Sequence, residues 1–202
     1  MPRGSRTRST KRNHDADRFV EPEFLLVSEP AREASRELSL AEVRALVEEA
    51  EARGLARRAR KTRPVDARPA RPGEVVVTVV AGEGTETRSK PAEEGDWVVR
   101  NRCEPTGNEE YLVAAAKFRE RYRATGKAPG NDGWQEHRPL GRVMRLLVLK
   151  PEHGELVFTA PWGERMVAKP GDAILQDLDD PADTYRVAAA AFDCTYEVLD
   201  SE

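Results

Sequence analysis

Two stretches decide how this chain is read: Gly95-Asp-Trp-Val-Val-Arg-Asn101 and Gly171-Asp-Ala-Ile-Leu-Gln-Asp177. Each is Gly-Asp followed by a short apolar run. A glycine there permits a positive φ, and the aspartate carboxylate can cap nearby amides, so each marks a turn that opens a β-strand. The likeness continues downstream. Tyr111-Leu-Val-Ala-Ala-Ala-Lys-Phe118 lies against Tyr185-Arg-Val-Ala-Ala-Ala-Ala-Phe192, and Tyr122 against Tyr196 at the same further spacing. Upstream, Lys90-Pro91 and Lys169-Pro170, each after an apolar run, extend the match, so one repeat unit covers about 50 residues. Ala114 to Phe118 and Ala188 to Phe192 read as single helical turns, with each Phe and the following Tyr as buried anchors.

Working outward, residues 73–124 form the first β unit and 142–202 the second, with 125–141, rich in Gly and Pro, as a connector without regular structure. Val75 to Val80, Trp97 to Val99, Tyr111 to Val113, Val143 to Leu149, Leu156 to Thr159 and Met166 to Val167 are the expected strands. Glu104-Pro-Thr-Gly-Asn108 and Pro161-Trp-Gly163 have the composition of hairpin loops. The expected class is mainly β with an N-terminal helix (α+β), the two units being tandem SH3-like barrels.

Residues 1–18 carry too little apolar surface to offset the entropy of ordering and read as a disordered basic tail. Residues 19–61 hold an apolar docking segment, Phe19 to Val27, and an amphipathic helix. The helix is announced by the capping box Ser39-Leu-Ala-Glu42, places Leu40, Val43, Leu46, Val47 and Ala50 on one face, and is expected to run to about Ala59 with its basic end at the dipole's negative pole. Residues 62–72, with Pro64, Pro69 and Pro72, read as a stiff linker and the domain boundary.

The residues of the repeats resemble the bacterial and phage PGDYG family, a small domain with a Pro-Gly-Asp-aromatic strand, a Tyr-x-Val strand and a Phe-x-x-x-Tyr ending. Pro170-Gly-Asp172 keeps the opening with Ala173 in the aromatic position, whereas Gly95-Asp-Trp97 keeps the aromatic with Glu94 in place of proline. The resemblance implies a small β domain without an assigned activity and transfers no catalytic residue.

Composition narrows the function classes. The chain of 202 residues has no apolar run near the roughly 20 residues of a membrane span and no apolar N-terminal stretch, so no membrane partner is expected. Two cysteines, Cys103 and Cys194, are too few for a disulfide framework and read as passive thiols in a cytoplasmic setting. His14, His137 and His153 are too widely spaced to hold a metal, and no cofactor motif is present. The net charge of −3 hides an asymmetry: residues 1–72 carry 17 basic against 12 acidic side chains, and residues 73–202 carry 16 against 24.

Candidate site residues follow from that asymmetry and from the repeat. Arg3, Arg6, Arg8, Lys11 and Arg12, with Arg57, Arg58, Arg60, Lys61 and Arg63, are candidate phosphate contacts; otherwise they are a solubilising tail and a helix end. Asp96, Trp97, Tyr111, Asp172 and Tyr185 are ligand positions or, alternatively, turn and core residues. Three functions remain open in descending order. The first is a non-enzymatic interaction protein docking on a protein partner or on itself. The second is a nucleic-acid binder using the basic arms, and the third is an enzyme with a cleft between the units.

Overall fold

The computed structural model describes residues 35–199. The expected basic tail and docking segment, residues 1–18 and 19–27, lie outside them. After a two-residue strand, β1 (Arg36–Glu37), helix α1 (Leu40–Ala52) begins at the predicted capping box. The Ser39 hydroxyl accepts from the Glu42 amide, and the Glu42 carboxylate accepts from the Ser39 amide at 2.7 Å. The helix ends earlier than expected. The amides of Leu55 and Ala56 both turn back to the Ala50 carbonyl, at 2.8 and 3.2 Å, and the chain leaves as a strand, β2 (Arg57–Lys61). The basic run is therefore not a helix end.

The first repeat continues with β3 (Val65–Pro69), the hairpin β4 (Val77–Val80) and β5 (Gly84–Arg88), then β6 (Trp97–Asn101), β7 (Glu110–Val113), α2 (Ala115–Arg121) and β8 (Tyr122–Ala124). The second has β9 (Gln135–Pro139), β10 (Val143–Val148), the hairpin β11 (Leu156–Thr159) and β12 (Arg165–Ala168), then β13 (Ala173–Asp177), β14 (Thr184–Val187), α3 (Ala189–Thr195) and β15 (Tyr196–Leu199). Two expectations fail here. The supposed linker contains β3, and the supposed connector contains β9, so the repeat starts well before residue 73.

Two five-stranded antiparallel sheets result, ordered β7-β6-β3-β9-β8 and β14-β13-β10-β2-β15. Position by position they match, except that the strand opening each repeat lies in the other repeat's sheet. In the second repeat's sheet Ala59 of β2 faces Met144 and Val198; in the first repeat's sheet His137 of β9 faces Val65 and Ala124. The repeats are thus tied by a reciprocal exchange of strands. The chain is mainly β, and no closed barrel is seen among the described residues: each sheet is open, with edges at β7 and β8 or at β14 and β15. Among the described residues no helix is long and apolar enough to cross a membrane.

Matching side chains fill matching cores. Val65, Ala67, Val99 and Phe118 are buried in one sheet where Met144, Leu146, Leu175 and Phe192 are buried in the other. Helix α1 adds a third core by packing Val43, Val47 and Ala50 against Leu156, Phe158 and Ile174. At each repeat's turn, Gly95 and Gly171 have φ of +89° and +97°, which favours glycine over any residue with a Cβ. The aspartates that follow hold two amides each. Asp96 accepts from Glu93 at 2.9 Å and from Ala115, the first residue of α2, at 3.1 Å. Asp172 accepts from Lys169 at 2.8 Å and from Ala189, the first residue of α3, at 3.1 Å. One carboxylate thereby fixes the strand entry and caps a helix whose own N-cap is alanine.

The cysteines are not free thiols. Cys103, after β6, and Cys194, in α3, form a disulfide with Cα atoms 5.9 Å apart, linking the repeats across 91 residues.

Candidate functional site

Where the exchanged strand β2 ends, Lys61 stands opposite Tyr196 of β15, and its side chain enters a cavity of about 380 Å³ lined by both repeats. Pockets of this size accept small organic molecules. The Lys61 ammonium nitrogen donates to Asn101 Oδ1 at 2.7 Å and to the Tyr111 hydroxyl at 3.1 Å. It also lies 5.5 Å from the ring centres of both Tyr111 and Tyr196, so one aromatic face from each repeat borders it.

The tyrosines form two equivalent pairs. In the first repeat the Tyr111 and Tyr122 hydroxyls are 3.0 Å apart, and in the second those of Tyr185 and Tyr196 are 3.3 Å apart. Their position follows from the fold. Tyr111 and Tyr185 are the second residues of the strands before each short helix, and Tyr122 and Tyr196 follow that helix, so each β-helix-β connection returns a hydroxyl to the same spot. Around this ring the repeats differ. Asn101 donates its side-chain amide to Glu109 Oε1 at 2.6 Å, and the Thr106 hydroxyl donates to the same carboxylate. Across the cavity, Arg121 of the first repeat pairs with Asp183 of the second and lies 5.2 Å from the Tyr185 ring centre. Lys117 reaches Asp180 at 3.1 Å and Asp183 at 3.4 Å.

These surroundings set the protonation states. Burial lowers the Lys61 pKa to about 7; Glu109 pulls it back up and Arg121 pushes it further down. No carboxylate lies within 4.0 Å of its nitrogen among the described residues, so full compensation is missing. Burial raises the phenols of Tyr111, Tyr185 and Tyr196, and that of Tyr122 to about 12. All four keep their protons at neutral pH. The cavity therefore presents an amine close to half-neutral at pH 7 beside four neutral hydroxyls, a set able to hydrogen-bond a polar ligand and to move protons.

The sequence-derived candidates scatter. Tyr111 and Tyr185 reach the cavity. Trp97 instead stacks on Phe118, with ring centres 4.2 Å apart and planes 4° from parallel, and His137 meets both edge-on. Asp96, which also borders the cavity, and Asp172 act as turn and helix caps, and Asp172 also accepts from Arg186 Nε at 2.8 Å. Of the second basic cluster, Arg58 pairs with Glu51, Arg60 pairs with Glu197 at 3.1 Å, and Lys61 points into the cavity, while Arg57 and Arg63 are exposed. Arg3, Arg6, Arg8, Lys11 and Arg12 lie outside the described residues. Asn101 and Arg121 had no signal in the sequence, because their partners are 40 and 62 residues away. No family model, no curated protein and no solved structure matches this chain.

Proposed function

We propose that the tandem body is a binding protein for a small polar molecule held between its two repeats. The observation that carries this reading is the convergence of Lys61, Asn101 and two equivalent tyrosine pairs on one cavity to which both repeats contribute. A purely structural contact between repeats favours apolar packing, because each buried hydroxyl or amine needs a partner and gives little net stability. Here the polar groups line open space. The disulfide and the reciprocal strands support the same reading, since a rigid frame lowers the cost of ordering a site on binding.

The test is a thermal-shift screen of small aldehydes, alcohols and carboxylic acids against the full chain and an Ala182→Trp variant. Ala182 is exposed at the cavity, so a tryptophan there is expected to occupy the space without disturbing the core. At least one compound is expected to raise Tm in the parent and not in the variant; equal shifts in both, or none, would contradict the reading.

Partner docking through Phe19 to Val27 and phosphate binding through Arg3 to Arg12 remain separate proposals about residues outside the described ones. The internal pairing of Arg58, Arg60 and Lys61 takes support from the nucleic-acid reading. As to location, the cytoplasmic expectation rested on unpaired thiols, and the Cys103–Cys194 bridge favours an oxidising compartment.

A further inference from the structure

We propose that Lys61 is an amine nucleophile that captures a small aldehyde as a Schiff base inside the cavity, with the Tyr111 and Tyr122 hydroxyls relaying the proton. This rests on the small-molecule reading above and names the chemistry of that same site.

Three observations lead there. First, the fold has no need of an amine at this position: Pro139 occupies the matching place in the other sheet, opposite Tyr122 as Lys61 is opposite Tyr196. Second, Lys61 differs from Lys90, Lys117, Lys127 and Lys169, each of which has a carboxylate within 4.0 Å, at 2.6, 3.1, 2.9 and 3.9 Å, and from Lys150, which is exposed to solvent rather than held in the cavity. Lys61 is held by two neutral oxygens, which orient its nitrogen without fixing a proton on it. Third, the Tyr111 hydroxyl that touches Nζ at 3.1 Å touches the Tyr122 hydroxyl at 3.0 Å, giving a two-hydroxyl path along the cavity wall. The lowered Lys61 pKa agrees with this geometry, because a nucleophilic lysine must be neutral for part of the time.

The reaction balances without an oxidant or reductant. The neutral amine adds to the carbonyl carbon, forming a C–N bond while the C=O π bond opens. Tyr111 takes a proton from nitrogen as the hydroxyl pair gives one to the new oxygen, leaving a carbinolamine and both phenols neutral. The nitrogen lone pair then forms C=N as the C–O bond breaks; the departing hydroxide takes a proton from the hydroxyl pair and leaves as water, and the second proton of the nitrogen passes back to that pair, which ends neutral. An imine and one water result.

The test incubates the full chain at pH 7 with a limiting amount of pyridoxal, salicylaldehyde or glyceraldehyde and sodium cyanoborohydride. The reduced adduct is then mapped on all seven lysines by peptide mass spectrometry. Lys61 is expected to carry at least ten times the label of any other lysine with at least one of the aldehydes, and urea-unfolded chain is expected to lose that preference. Tyr111→Phe is expected to slow labelling at Lys61 about tenfold, and an unchanged rate would overturn the proton relay. Label confined to the exposed lysines, with an alcohol counterpart still bound, would overturn the Schiff-base proposal and leave the binding site standing. No Lys61 label and no bound alcohol would overturn both.

Discussion

In the first repeat Trp97 stacks on Phe118, while Asn101, Tyr111 and Lys61 meet at the cavity; the matching positions of the second repeat hold Ala173, Phe192, Asp177, Tyr185 and Pro139. What the repeats share is framework: the Gly-Asp turn, the aspartate that caps the following helix, the buried Phe and the paired tyrosines. Of what they do not share, Lys61 and Asn101 line the cavity, as the shared tyrosines do, while Trp97 stacks on Phe118 in the core. Two copies of one frame thus separate residues the fold requires from residues it merely carries, and Lys61 falls among the latter.

The largest test of this comparison truncates the shared anchor. Phe118→Ala and Phe192→Ala should each cost about 3–5 kcal/mol in urea unfolding, as large core truncations do. Phe118 also stacks on Trp97, whereas among the described residues the one aromatic ring against Phe192 is that of Tyr196, so the first substitution should cost about 1 kcal/mol more. Equal losses would mean that the Trp97 stack adds nothing to stability.

Next comes the bridge between the repeats. Cys103→Ser combined with Cys194→Ser should lower unfolding free energy by about 2–5 kcal/mol, and dithiothreitol should reproduce that loss in the parent only. The capping aspartates give a smaller contrast. Asp96→Ala loses two amide bonds and should cost about 1 kcal/mol. Asp172→Ala loses the same two amide bonds and its contact with Arg186, which keeps Glu83 and Glu86 as partners, and should cost about 1–2 kcal/mol.

How much of this could be read from the sequence depended on whether the signal was local. The α1 capping box, the Gly-Asp turns and the Tyr-x-Val-Ala-Ala motif carry their own chemistry, and the structure places them as expected. Strands β2, β3 and β9 did not announce themselves. In Arg57-Arg-Ala-Arg-Lys61 only Ala59 is buried, and in Gln135-Glu-His-Arg-Pro139 only His137. Their extended form comes from the neighbours that pair with them, and charged or proline-rich segments gave no periodic apolar face to count. One clue was available: Ala59 and Val65, like His137 and Met144, stand at nearly the same spacing, so the repeat could have been extended upstream. The site itself was hidden for a related reason. Lys61 sat fourth among the cations Arg57, Arg58, Arg60, Lys61 and Arg63, and nothing in that run tells which of them turns inward toward Asn101, Tyr111 and Tyr196.

The most specific expected effect is a dependence on pH. Folded Lys61 loses its proton near 7 and unfolded lysine near 10.5, so between those values the unfolded chain binds the extra proton and stability should rise with pH. Comparing urea midpoints at pH 7 and 9.5 should show that rise in the parent and a flatter profile in Lys61→Met. An identical slope in both would place the effect elsewhere.

The most direct measurement is an NMR titration of the lysine Cε and Nζ signals of the folded chain, with Lys61 assigned through Lys61→Arg. The account predicts that Lys61 titrates near 7, well below the usual lysine range. A Lys61 midpoint at 10 or above would contradict a neutral amine held among the tyrosines, and with it the central claim about the cavity between the repeats.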